Sequence, residues 1–406
     1  MPISTPCYKY PARSFHLPQQ YPSIMTWNNL PTELHLAVAR FLPPQDTRAL
    51  SRTSRSSYNL LVPQIFSDVT ISSRSALRSF ATHVPARYGT HIRCLSICTK
   101  PAERALVQEV DCTEDLATIL ATCSYLQSLS LSLAASLDAS TITPVFATLT
   151  TVQKFEIGCW GQEETTPVSE RIAVSLAASL PSLTHLTLSR VTRSALHVDN
   201  CSPPGVPLVL NDHDVPSHPI LGEELCIPSL LKLPTLKSLD LRDVWIDCDE
   251  NMSMQGKLAQ LESISLSGSM YRDGEVESKA CLAWLRACGP VLRSFETGIP
   301  LGESQPSTCL GKDRMAAEDE SIASPLPILT DFHVDAERVA LDDLLPMLNI
   351  LTALCAAQDP FTRECASDEF EDWQDTIEQL LTSNEWNSLK SVELNFGQGA
   401  QRLWSL

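Results

Sequence analysis

The residues whose types could do chemistry by themselves are concentrated in one short stretch, NDHDVPSH at 211–218. Asp212, His213, Asp214 and His218 are all of types that bind transition metals. The stretch is rich in proline and has no helical or strand pattern, so nothing would fix the geometry of a coordination sphere. We therefore expect this segment to be a loop without a bound metal.

Motifs that perform bond chemistry are absent from the rest of the sequence. The chain contains no GxSxG, no phosphate-binding GxxxxGK[ST], no GxGxxG after a strand and no HExxH. Its 14 cysteines are scattered without a CxxC spacing, which is typical of small apolar residues in a reducing compartment. The sequence thus predicts a protein that is not an enzyme and uses no cofactor.

Charge divides the chain into two parts of opposite sign. The net charge is -18, but residues 1 to 110 carry 12 Lys and Arg against 5 Asp and Glu, and the remainder carries 18 against 43. Binding to a phosphate backbone depends on clustered Lys and Arg, so the acidic part argues against a nucleic acid as ligand.

Targeting signals are also weak. No apolar run is long enough to span a membrane, and prolines interrupt residues 1–24 where a signal peptide would be apolar. We expect residues 1–24 to form a disordered leader and the protein to be cytoplasmic, nuclear or both.

A short pattern, apolar-x-x-apolar-x-apolar, recurs nine times along most of the chain. Its alternation predicts a short strand with one buried face in each copy. Between copies, the segments 113–123, 169–181 and 367–381 have the periodicity of amphipathic helices. The copies start at Ile92, Leu126, Val152, Leu183, Leu236, Leu261, Leu292, Leu329 and Leu389.

This recurrence resembles the leucine-rich repeats. The resemblance implies an α/β fold in which parallel strands line the concave face of a solenoid and helices line the convex face. The Asn or Cys that often ends the family's repeat is replaced here by residues such as Val191 and Val244, which predicts an irregular solenoid. Loop insertions are expected near 199–217 and 302–324. The alternative is an ordinary α/β sheet with crossover helices.

A helical cassette precedes the repeats in LPTELHLAVARFLPPQDTRALSRTSRSSYNLL, residues 30–61. Pro31 and Glu33 suit the first turn of a helix, Pro43 and Pro44 end it, and Asp46 can cap the next helical segment. The cassette resembles the F-box, a three-helix module. The matching residues are Leu30, Pro31, Glu33, Leu34, Val38, Leu42, Asp46, Leu50, Ser54, Arg55 and Tyr58.

The F-box resemblance implies docking on the Skp adaptor of cullin-RING ubiquitin ligases. The adaptor-binding residues carried over are Leu30, Pro31, Leu34, Val38, Leu42, Leu50 and Tyr58, the last replacing a Trp found in many members. The cassette is positively charged, and this charge would favour an acidic partner; its arginines, Arg40, Arg48, Arg52 and Arg55, lie close together in the sequence. The alternative is that the cassette is only an N-terminal helical cap of the solenoid.

The polar residues of the predicted strands offer a second candidate site. Early strands present small hydroxyl groups, and later strands present mostly acids. We hypothesise a client protein recognised partly through a basic segment. The client-binding residues would be Asp240, Glu296, Asp331, Asp335 and Glu393. The alternative is that these side chains are merely solvated.

Taken together, the resemblances predict a leader at 1–24, an F-box at 25–71 and a leucine-rich-repeat-like domain at 72–406. The function implied is that of the substrate-recognition subunit of a Skp-cullin-F-box ubiquitin ligase, which contributes proximity to a reaction carried out by other subunits. The alternative is a leucine-rich-repeat scaffold or interaction protein with no role in ubiquitination.

Overall fold

The structure is a computed structural model. It describes residues 30–100, 112–161, 163–164, 166–197, 206–246, 260–268, 274–288, 291–299, 301, 329–335, 347, 391–395 and 401–405. The chain divides into two compact units, Met1–Ile65 and Phe66–Leu406. The expected leader at 1–24, the insertion at 302–324 and the helix at 367–381 lie outside the described residues.

The described part of the first unit, residues 30–65, contains three helices. They are α1 (Thr32–Phe41), α2 (Pro44–Ser51) and α3 (Arg55–Ile65). Pro31 and Pro43 immediately precede the first two helices, and Pro44 begins α2, which suits residues that lack a backbone donor. The predicted cap at Asp46 is wrong, because this residue lies inside the first turn of α2. The Ser54 hydroxyl accepts a hydrogen bond from the Ser57 amide at 3.0 Å and so begins α3.

The second unit is an α/β structure built on a mostly parallel sheet. Eleven strands of the described chain form this sheet in the order β1-β2-β3-β4-β5-β8-β9-β10-β11-β12-β13, and only the last pair is antiparallel. The strands are β1 (Asp68–Ile71), β2 (Cys94–Cys98), β3 (Ser128–Leu133), β4 (Lys154–Cys159), β5 (His185–Ser189), β8 (Ser238–Arg242), β9 (Ser263–Leu266), β10 (Ser294–Thr297), β11 (Asp331–Asp335), β12 (Ser391–Asn395) and β13 (Gln401–Ser405). A separate two-stranded sheet joins β6 (Arg193–Ser194) to β7 (Leu208–Val209).

Helices connect successive strands. They are α4 (Arg74–His83), α5 (Thr113–Thr122), α6 (Ala139–Thr148), α7 (Glu170–Ala178) and α8 (Gly274–Cys288), with 3-10 segments at Ala86–His91, Ala195–His197 and Ile227–Lys232. The predicted helices at 113–123 and 169–181 are confirmed as α5 and α7. Ser169 caps α7 by accepting a hydrogen bond from the Arg171 amide.

The apolar positions of the recurring pattern form the core of this unit. In β3 the residues alternate between half-buried serines and buried leucines, as one buried sheet face requires. The leucines, isoleucines and phenylalanines of the strands join those of the helices in one continuous apolar cluster. Val191 and Val244, which replace the expected polar residue after the strand, are buried as well.

Two details differ from the sequence-based expectation. We expected the first domain to end at residue 71, but Asp68–Ile71 pairs with β2 in the parallel sheet, so the compact units divide at Ile65. The described part of the expected loop insertion at 199–217 contains β7 and two buried residues, Asp212 and Val215, although the other residues of this part are half-buried or exposed.

Candidate functional site

Helix α1 exposes an apolar stripe of three residues. Leu34, Val38 and Phe41 are 48%, 42% and 89% exposed. Their spacing of four and three residues places them on one side of the helix. Complete burial of such side chains is worth roughly 1.5–3 kcal/mol each, so this α1 stripe can contribute several kcal/mol to binding a partner.

Phe41 was missed by the sequence analysis although it is the most exposed member of the α1 stripe. The signal was present, because Phe41 continues the periodicity of Leu34 and Val38 by one turn. The comparison with the F-box motif selected the next residue, Leu42, which is half-buried.

The other predicted adaptor-binding residues are accessible to different degrees. Pro31 is exposed, and Leu30, Leu42, Leu50 and Tyr58 are half-buried. Gln64 Nε2 donates a hydrogen bond to the Ala39 carbonyl at 2.7 Å and thereby connects α3 to α1. The first unit also presents four exposed arginines, at positions 40, 48, 52 and 55, beside two exposed acids, Glu33 and Asp46.

The polar side of the large sheet contains the second candidate site. Successive strands align their middle residues in the register Glu156, Thr187, Asp240, Ser265, Glu296, His333 and Glu393. We call the acidic members, Glu156, Asp240, Glu296 and Glu393, the carboxylate column. They lie on β4, β8, β10 and β12, which are alternate strands of the sheet.

The predicted client-binding acids are therefore only partly brought together. Asp240, Glu296 and Glu393 belong to the carboxylate column, whereas Asp331 lies two residues nearer the start of β11 and Asp335 at its end. Glu156, which was not among the predicted acids, completes the column. Its position could have been found by aligning the fifth residue of each sequence repeat with its neighbours, since the register follows that alignment.

Several of these acids already have intramolecular partners. Asp240 Oδ2 lies 2.5 Å from Nη2 of Arg242. His333 lies between Glu296 and Glu393, with nitrogen-to-oxygen distances of 3.6 and 3.2 Å. In addition, Ser130 donates a hydrogen bond to Glu156, and Ser391 and Thr330 donate to Asp331. The surface is thus a set of ion pairs as well as a source of negative potential.

Arg242 lies in the field of the carboxylate column. Partial burial lowers the pKa of its guanidinium group, but the hydrogen bond to Asp240 and the charges of Asp240, Glu156 and Glu296 raise it, and the net pKa shift is upward. The Arg242 side chain is 56% exposed, while that of Asp240 is only 19% exposed. The cation can therefore leave its partner more easily than the carboxylate can move.

A cavity of about 360 Å³ opens where β5, β8, β9 and β10 end. Serines and a glycine leave room between the charged side chains. The lining residues are Ser189, Arg190, Asp240, Arg242, Asp243, Ser265, Leu266, Ser267, Glu296 and Gly298. Arg190 and Asp243 both have φ of 50°, and each directly follows a strand. This left-handed conformation turns the chain sharply at equivalent places in neighbouring strands.

The starting edge of the strands carries charges of both signs. Lys154 and His185 begin β4 and β5, Lys237 directly precedes β8, and it is paired with Glu262, which directly precedes β9. Burial lowers the pKa of His185, and the nearby Lys154 and Lys237 lower it further, while Glu262 acts in the opposite direction. The sheet surface therefore has mixed charges at the strand starts and the carboxylate column at the strand centres.

The Asp and His cluster that opened the sequence analysis has a structural role at Asp212. This residue is 2% exposed, and its carboxylate accepts hydrogen bonds from Ser169 Oγ at 2.5 Å and Ser194 Oγ at 2.8 Å. Arg171 Nε donates to the Asp212 carbonyl, also within this buried network. Within the described ranges, no three His, Cys, Asp or Glu side chains are grouped as metal ligands would be.

Two searches for relatives of the chain found no match. No protein-family model matches it, and a search of curated proteins found no match either. In the part of the chain that the structure describes, no helix is both long and apolar enough to cross a membrane.

Proposed function

We propose that the chain is the substrate-recognition subunit of a Skp-cullin-F-box ubiquitin ligase. In this proposal, residues 30–65 form an F-box that binds a Skp-type adaptor, and the sheet with its helices forms an irregular leucine-rich-repeat solenoid that binds a client protein. The subunit performs no bond chemistry, so its contribution is to hold the client close to the catalytic subunits. It acts in the cytoplasm, the nucleus or both.

The observation that carries the proposal is the α1 stripe. Leu34, Val38 and Phe41 remain exposed on a helix whose residue Ala39 is completely buried. A helix that exposes apolar residues at this spacing suits docking against an apolar surface of a partner. The resemblance of residues 30–58 to the F-box in order and spacing supports the adaptor as that partner, and the four exposed arginines favour an acidic protein.

The client face is proposed on the polar side of the sheet. Asp240, Glu296 and Glu393 belong to the carboxylate column. Asp331 and Asp335 lie at the start and the end of β11, which is the strand between β10 and β12. A basic client segment would meet these acids through charge complementarity. The repeated strand, helix, strand order with sequential parallel pairing supports the leucine-rich-repeat solenoid.

The test is capture of a purified recombinant Skp adaptor by the purified full chain. We expect the double variant Leu34→Ala, Phe41→Ala to weaken adaptor binding by several hundred-fold, because two interface anchors of about 2 kcal/mol each contribute about 4 kcal/mol together. The matched control is Leu196→Ala, Leu210→Ala, which truncates two exposed leucines of the second unit. This control should bind the adaptor as well as the wild type does.

Failure of the wild type to bind the adaptor would exclude the ligase role. The chain would then be a leucine-rich-repeat scaffold or interaction protein, which is the second candidate function. Equal weakening by both double variants would show that loss of apolar surface, rather than the α1 stripe, governs capture.

A further inference from the structure

The carboxylate column has a regular spacing that limits what can dock on it. Its four members lie on alternate strands, with Thr187, Ser265 and His333 at the intervening positions. Neighbouring strands are about 4.8 Å apart, so the acidic positions repeat about every 9.6 Å across the sheet. A bound chain that places one cation against each acid must have the same repeat.

Regular backbone conformations differ in how well they match this distance. In a polyproline II helix every third residue faces the same side, with a repeat of about 9.3 Å. A β-strand repeats about every 6.8 Å on one face, and an α-helix returns to the same side after seven residues, about 10.5 Å. Over the three intervals of the carboxylate column, the repeat of a polyproline II helix departs from the spacing of the acids by about 1 Å in total, and that of an α-helix by nearly 3 Å. The polyproline II helix therefore fits the column best.

The column already holds one cation, which comes from the chain itself. The guanidinium of Arg242 is bound to Asp240 Oδ2, and the adjacent cavity of about 360 Å³ also has Glu296 and Ser265 in its wall. The other oxygen of Asp240, Oδ1, is buried, and no described residue donates a hydrogen bond to it. Once Arg242 moves into solvent, Oδ2 of Asp240 is left without its cation and can accept a hydrogen bond from an incoming basic side chain.

The charges at the strand starts are mixed, so they do not by themselves direct a cationic ligand. Lys154 and Lys237 lie there, but Lys237 is paired with Glu262 at 2.8 Å, and Asp331 begins β11. The lowered pKa of His185 favours its neutral form. The path of a cationic ligand is therefore set by the carboxylate column, which runs across the strands and over the cavity.

We propose that the polar sheet face binds a protein segment in polyproline II conformation with Lys or Arg at every third residue, and that Arg242 occupies the Asp240 position until this segment displaces it. The inference rests on the proposed function only in identifying the segment as part of a client. Binding of the segment itself requires neither the adaptor nor the α1 stripe.

The experiment measures binding of two labelled peptides to the full chain by fluorescence anisotropy at low, fixed salt. One peptide is Arg-Pro-Pro repeated four times, and the other has the same composition with all arginines grouped at one end. We expect the periodic peptide to bind about tenfold more tightly, because only its arginines match the column. Glu296→Gln should weaken binding of the periodic peptide about fivefold.

Arg242→Gln is the discriminating variant. Removing the internal cation should strengthen binding of the periodic peptide several-fold, whereas a purely structural Arg242 would give no change or a loss. Glu262→Gln is the matched control, because it removes an exposed acid at the strand edge and should leave the affinity unchanged. Equal affinity for the two peptides, or no gain with Arg242→Gln, would overturn the proposal, and adaptor capture by the same preparations shows separately whether the ligase role holds.

Discussion

Glu163 is buried just after β4, and its protonation is coupled to the stability of the fold. Burial raises the pKa of its carboxyl group to about 7, with further upward contributions from Glu164 and Asp243, and Arg190 acts against them. The carboxyl group of the unfolded chain has its ordinary pKa of 4.5. At a pH between these two pKa values, the Glu163 carboxyl group is protonated in the folded chain and ionised in the unfolded chain. The resulting contribution to the free energy of unfolding is complete below the lower pKa and is lost as pH rises through the higher pKa.

Glu163→Gln should therefore remove this pH dependence. The variant should be more stable than the wild type by about 2–3 kcal/mol at about pH 8 and differ little at about pH 5. Urea denaturation at the two pH values measures the difference in the free energy of unfolding. The matched control is Glu164→Gln, an exposed neighbour that should leave the pH dependence in place. A wild type whose stability does not fall between these pH values would contradict the raised pKa.

Single residues also show where sequence reasoning reached its limit. Val191 and Val244 were recognised as departures from the repeat, but their burial could only be seen once the packing around the strand ends was known. Asp212 was singled out as a possible metal ligand, and its actual partners, Ser169 and Ser194, are distant in sequence. The alternation of apolar and polar residues predicts on which face of the sheet a side chain lies. It contains no information about contacts between loops that are distant in sequence.

At the scale of elements, the close approach of two strands depends on one glycine. Gly158 on β4 is aligned with Ser189 on β5, and a Cβ atom at Gly158 would lie 2.2 Å from the Ser189 carbonyl oxygen. That contact involves backbone, which cannot move aside without disturbing the parallel pairing of β4 and β5. The glycine is thus required by the spacing of the strands.

Gly158→Ala should destabilise the second unit by about 2–4 kcal/mol, the range typical of overpacking with a backbone shift. Ser132→Ala is the matched control, since Ser132 is aligned with Gly158 on the adjacent β3 and already has a side chain. It should change the free energy of unfolding by less than about 1 kcal/mol. Thermal or urea unfolding monitored by circular dichroism compares the two, and equal effects would mean that the strands move apart at Gly158 without cost.

Strands and helices were the part of the fold that the sequence predicted best. The apolar positions at Leu129, Phe155, Leu186 and Leu239 are buried as the recurring pattern required. Strand order followed because each copy pairs with the next along the chain. The boundary near residue 71 was misplaced because Asp68–Ile71 lacks the full pattern, so only its pairing with β2 identifies it as a strand.

At the scale of the whole molecule, the two candidate surfaces belong to different compact units. The α1 stripe lies in the first unit and the carboxylate column in the second. The stripe is apolar, whereas the column binds through charge, so the two are expected to respond differently to salt. Composition anticipated this division, since the positive part of the chain precedes the acidic part.

The two binding activities should therefore be independent. Leu34→Ala, Phe41→Ala should weaken adaptor capture and leave the affinity for the periodic arginine peptide unchanged. Glu296→Gln should weaken peptide binding about fivefold and leave adaptor capture unchanged. Independent sites without shared partners give additive effects within about 0.5 kcal/mol, so the combined variant should show each of the two losses at its separate size. If either loss in the combined variant differed from its separate value by much more than this, in adaptor capture or in peptide binding measured by anisotropy, the proposed adaptor and client surfaces would be coupled.

The salt dependence of the two binding activities supplies a second criterion. Raising the salt concentration should weaken peptide binding strongly and adaptor binding through the α1 stripe much less.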